Sequence, residues 1–164
     1  MQSMIRGGVL AVVACVGCSH SATTPTAVQG GPFVMTLRSV IPCDGNSPAF
    51  PNLYTFSGIL QVTNERLQFV ADHTVPQGQP LTLDATRTGD GLAGTLRGTV
   101  VDADGYIVSA AVSKDSASGA ALVGQVNATT TITGTIDGYI RIVHRVFSLA
   151  EGCSGTQTWT LRSP

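Results

Sequence analysis

From Phe33 to the C-terminus, apolar and polar residues alternate in short runs separated by turn-forming residues. A period of two belongs to strands with one buried face, and its recurrence predicts an all-β domain built from hairpins. About ten strands are expected, over residues 33–41, 54–63, 66–72, 81–88, 92–101, 106–113, 120–127, 130–137, 139–148 and 156–162. The links between them are mostly short: Asn64-Glu65, Gly89-Asp90-Gly91, Asp102-Ala103-Asp104-Gly105 and Asp137-Gly138, with longer loops at 73–79 and 114–119. Short links pair consecutive strands, so the topology expected is an antiparallel up-and-down meander.

One face of four strands repeats large, Gly, large: Phe56/Gly58/Leu60, Leu92/Gly94/Leu96/Gly98/Val100, Leu122/Gly124/Val126 and Ile132/Gly134/Ile136. Glycine inside a strand weakens it unless the sheet bends sharply there or another group must come close. Small barrels alternate small and large interior residues for this reason. The meander is therefore expected to close into a small barrel of about eight to ten strands, with a β-sandwich as the alternative.

The N-terminus carries a different pattern. Arg6 precedes a short apolar run from Gly7 to Val16, and Ala14 and Gly17 stand before Cys15 and Cys18. The run is too short for a bilayer span, which takes about 20 residues; it has the layout of an export signal. It resembles the signal peptide of bacterial lipoproteins, whose lipobox is cut before a cysteine that then carries the lipid. The resemblance implies residues 1–17 as signal and Cys18 as the lipidated residue, with Cys15 as the alternative register. It also implies an exported protein held in the bacterial envelope by its lipid. Ser19 in the next position favours the outer membrane by the same likeness. Residues 18–32 contain few bulky apolar side chains and are expected to act as a flexible tether, on the order of 20 Å in reach. The β domain then occupies 33–164.

Removing the signal leaves about 147 residues, enough for one domain with one core. A net charge of -1 and 12% charged residues give no clustered basic face, which argues against nucleic acid as a partner. Cys43 follows the first expected strand and Cys153 precedes the last, and in a closed barrel those strands are neighbours. A disulfide between them is expected in an oxidising compartment, where tying a loop of about 110 residues would remove on the order of 4–5 kcal/mol of unfolded-state entropy. In architecture the mature region resembles the up-and-down barrels of the calycin type, lipocalin-like and avidin-like. It departs from lipocalins in lacking a Gly-x-Trp on its first strand, since its one tryptophan, Trp159, lies on the last.

Candidate chemistry is sparse. His144 falls on the expected inward face with Ile140, Ile142 and Val146, and with Trp159 it is a candidate contact for a small apolar ligand in the barrel. Asp102-Ala103-Asp104-Gly105 has the opening of a calcium loop but no downstream bidentate Glu, so a hairpin turn is the preferred reading. His20 and His73 have no partner histidine nearby in sequence. Arg141 and Arg145 share the opposite face with Tyr139, Val143 and Phe147, a stripe that could dock an envelope protein or a polysaccharide. No nucleophile elbow, phosphate loop or dinucleotide fingerprint is present. The expectation is a non-catalytic envelope protein with no cofactor and no metal, binding a small apolar ligand, or else a packed structural barrel that contacts another envelope protein.

Overall fold

Alternation from Gly31 onward becomes nine antiparallel strands in the computed structural model, which describes residues 24–38, 53–76, 78–144 and 150–164. They are β1 (Gly31–Arg38), β2 (Leu53–Val62), β3 (Arg66–Ala71), β4 (Thr82–Thr88), β5 (Gly91–Val101), β6 (Tyr106–Ala111), β7 (Ala120–Ala128), β8 (Thr131–His144) and β9 (Ala150–Arg162). No helix occurs among the described residues. The β1–β9 and β4–β5 pairings close the sheet on itself, giving a barrel rather than a sandwich.

The wall has eight places for nine strands, because β6 and β7 lie end to end. The N-terminal part of β5 pairs with β7 (Leu96 opposite Ala120) and its C-terminal part pairs with β6 (Gly98 opposite Ala110). β8 does the same on the other side, with Asp137 opposite Ala121 and Tyr139 opposite Ala111. Residues 112–119 between them leave the wall and return to it. Val112 N–H donates to the Ser118 carbonyl at 2.8 Å, closing this excursion at its neck.

Two sequence expectations are corrected by this arrangement. Asp137-Gly138 is not a hairpin turn: the strands expected on either side of it are one continuous β8, paired with β9 from Thr131 to Val143. The Gly is required by the wall instead, since a Cβ at Gly138 would sit 2.6 Å from both the Ala111 carbonyl oxygen and the Ala120 Cβ, where β6 ends and β7 begins. The 114–119 loop, likewise, does not reverse the chain. Gly98 marks the same break on β5 with a φ of 99°, a conformation that L side chains rarely adopt.

Every large member of the Gly-interrupted runs points inward and is buried, together with Met35, Leu37, Leu67, Phe69, Leu83 and Leu161. Most outward positions carry Thr, Ser, Gln, Asp or Arg, as in Thr133, Thr135 and Asp137 on β8, with Ile59 and Val123 as exposed apolar exceptions. That is the reverse of the pattern by which a barrel faces lipid. The wall's two ends differ. The short links 63–65, 89–90 and 129–130 lie at one end, and the longer link 72–81 and the 102–105 turn lie at the other.

β1 starts at Gly31, inside the segment expected as tether, and the residues before it are engaged with the barrel. Thr26 N–H donates to Asp90 Oδ1 at 2.7 Å, the Arg87 guanidinium bonds both the Thr26 carbonyl and Asp90, and Val28 packs against the core. These bonds hold the Asp90 carboxyl below its ordinary range, the Thr26 N–H first among them.

Candidate functional site

The interior is occupied by the barrel's own rings. Trp159 on β9 pairs with Gly134 on β8, and Gly134 pairs with Gly124 on β7, so three adjacent strands present one ring and two bare backbones. A Cβ at Gly124 would stand 2.6 Å from Trp159 Cζ2, and one at Gly134 would stand 2.8 Å from Cε2. The indole therefore lies across both glycines. Its N–H is shared between the carbonyls of Val123 (3.3 Å) and Thr135 (3.2 Å), which satisfies the one polar atom of a side chain only 2% exposed. Phe69 does the same on the other side of the barrel, where a Cβ at Gly58 would meet Phe69 Cζ at 2.6 Å. The glycines are where other groups approach.

At the end formed by the longer links, Tyr54 of β2 and Tyr106 of β6 meet. Their strands occupy opposite sides of an eight-place barrel, and their rings pack edge to face with centroids 5.9 Å apart. Two residues thus bridge the lumen. His144 lies at this end, its backbone paired with Tyr106, but its side chain is outside the described residues. The structure gives Trp159 a packing role against Gly124 and Gly134.

Asp102 closes the β5–β6 hairpin. Its Oδ1 accepts from the N–H of Asp104 (3.0 Å) and of Tyr106 (2.8 Å), and Gly105 takes the φ of 85° that the turn needs. The carboxylate is thus committed to backbone donors, as the hairpin reading expects. Burial nonetheless pushes its pKa up, beyond what those two bonds recover. His73 is exposed beside this turn, over a hollow of about 240 Å³ that includes Asp102, below the size that commonly takes a small molecule. Among the described residues no three His, Cys, Asp or Glu side chains gather as a metal site would require. Cys153 is fully buried on β9, opposite Ile140. Cys15, Cys18, His20, Cys43, Arg145, Val146 and Phe147 lie outside the described residues.

The larger concavity is on the outside, at the interrupted place in the wall. Its volume is about 510 Å³, within the range of small-molecule sites. Thr99, Ser109 and Ala111 form a floor of small side chains, with Thr99 Oγ1 and Ser109 Oγ 3.1 Å apart. Arg97 stands on β5, Tyr139 and Arg141 on β8, and the 112–119 excursion brings Lys114 and Ser116 over the edge. Three cations and no carboxylate line it. The two ion pairs among the described residues, Arg66–Asp84 and Arg87–Asp90, involve none of the three. Asp84, which feels Arg97's charge, already accepts two bonds from Arg66, and these lower its pKa. Asp115 is the acidic neighbour on the excursion, exposed to solvent.

Sequence reading reached Tyr139 and Arg141 but not Arg97 or Lys114. These come from separate strands and a loop, and only the end-to-end placement of β6 and β7 brings them together. No protein-family model matches the chain, and no curated protein is significantly similar to it.

Proposed function

We propose that this protein is an exported, lipid-anchored component of the bacterial cell envelope, and that it acts by binding through the outside of a packed barrel, without catalysis. The observation that carries the reading is the Trp159 ring laid over Gly134 and Gly124. An eight-stranded barrel has an interior just wide enough to be filled by side chains or to hold one small ligand. Here the bare glycine surface that would make room for a ligand is covered by an indole whose N–H is already bonded. The Tyr54–Tyr106 contact supports the same choice, because an apolar guest entering from that end would have to part the two rings. The anchor is assigned to Cys18, or to Cys15 in the alternative register, and a Cys43–Cys153 disulfide would tie the segment after β1 to β9. In the other reading a small apolar molecule occupies the mouth near His144.

Mass spectrometry of the protein isolated from its own host tests these together. A diacylglyceryl-modified cysteine at the new N-terminus, Cys43 linked to Cys153, and no stoichiometric small molecule under native conditions are the expected results. An unmodified N-terminus that retains residues 1–17 would end the envelope assignment. A co-purifying apolar compound would return the function to the interior.

A further inference from the structure

We infer that the outer-wall groove is a binding site for an acidic sugar, meaning a saccharide that bears a phosphate or a carboxylate. The inference rests on the proposal that the barrel works through its exterior, and it names the ligand class.

Charge comes first. Arg97, Lys114 and Arg141 reach the groove from β5, the excursion and β8, and no Asp or Glu shares its lining. None of the three is held in an ion pair among the described residues. Arginine is the side chain suited to grip a phosphate or carboxylate with two parallel bonds. Beyond the charges, the groove presents hydroxyls from Thr99, Ser109 and Ser116 and the phenol-bearing ring of Tyr139. A bare inorganic anion is small enough to meet the cations and only part of the hydroxyl floor. A sugar supplies both the anionic group and a set of hydroxyls to meet Thr99 and Ser109. The volume, about 510 Å³, accommodates such a ligand.

The construction of the wall favours a site here. A continuous strand in the sixth place would run hydrogen bonds along β5 and β8 without interruption. The chain instead leaves the wall at Val112, carries Lys114 and Ser116 outward, and rejoins it at Ala120. Gly98 and Gly138 take up the break on the flanking strands.

The test is a titration of the full chain in detergent, followed by amide NMR shifts and calorimetry, with glucose 6-phosphate, glucuronate, glucose and inorganic phosphate as probes. Saturable binding of one acidic sugar is expected, at least about tenfold tighter than that of glucose or phosphate, with shifts centred on Thr99 and Ser109 and weakening as salt rises. The phosphate and carboxylate probes identify which anion the groove prefers. Arg97→Gln combined with Arg141→Gln should lower affinity at least about tenfold with the thermal midpoint unchanged, and Lys114→Gln should lower it less. Binding that persists in the double variant, equal affinity for inorganic phosphate, or no binding of either acidic sugar would overturn the inference. Because the purified chain is titrated, such a failure would be separable from failure of the envelope assignment, which is read at the N-terminus.

Discussion

The two surfaces of the barrel wall differ in how completely their small residues are covered. On the inner surface, Gly58, Gly124 and Gly134 leave gaps that Phe69 and Trp159 occupy, and the rings press directly on backbone. On the outer surface Tyr139 lies over Gly152 in the same manner, but Thr99, Ser109 and Ala111 leave a gap that no described residue fills, rimmed by side chains with charge to offer. A small residue in a strand is thus not by itself a sign of a binding site. What decides is whether a neighbouring strand supplies a large apolar group to lie over it. Inside, removal of apolar surface from water draws the ring down. Outside, the neighbours are cations that solvent already satisfies.

The sharpest way to break this contrast is to remove the indole. Trp159→Ala should destabilise the fold by about 3–5 kcal/mol in chemical denaturation, as expected for a buried large-to-small change. Arg141→Gln on the outer rim should stay within about 0.5 kcal/mol of the parent. A small loss at Trp159 would mean that the interior is not held by its ring. Adding bulk is the second probe. Gly58→Ala places a methyl against Phe69 and the Val70 carbonyl and should cost about 1–3 kcal/mol, with the Phe69 ring displaced in a structure of the variant.

The smallest effect expected concerns the hairpin rim between the surfaces. The Asp102 pKa is raised above 3.8 by burial, so the folded chain holds that proton more readily than the unfolded chain does. Its contribution to stability is full below 3.8 and declines as pH rises through the folded value. Asp102→Asn keeps an acceptor for the Asp104 and Tyr106 N–H groups without the charge. Denaturation across acidic to neutral pH should show the variant gaining on the parent as pH rises past 3.8. Asp84 and Asp90, both lowered, act in the opposite sense and withdraw stability as pH falls below that value.

Much of this wall was legible in the chain because its alternation is local. The inward runs around Gly58, Gly94, Gly124 and Gly134 and the hairpin links at Asn64-Glu65 and Asp102–Gly105 follow from period and turn chemistry, and closure into a barrel from the glycines inside those runs. Asp137-Gly138 misled because Asp-Gly is a strong hairpin signal. The glycine answers a steric demand from Ala111 and Ala120, distant in sequence, which no window around it contains. The exterior groove was only half visible for the same reason. Tyr139 and Arg141 sit on one strand, whereas Arg97 and Lys114 join them only once β6 and β7 share a place. Inward and aromatic, Trp159 has the signature of a ligand contact; its seat over two glycines on the next two strands of the wall is set by a register that no local window shows.

The Thr26–Asp90–Arg87 contact gives the molecule a mechanical polarity. Tension arriving from the N-terminal side meets that clasp before it reaches β1. Load on β1 itself is then shared by the ladders to β2 and β9. The rim with the tyrosine bridge and the Asp102 turn lies at the opposite end of the barrel, so a pull on the N-terminal side enters the shell at the base and leaves that rim unloaded.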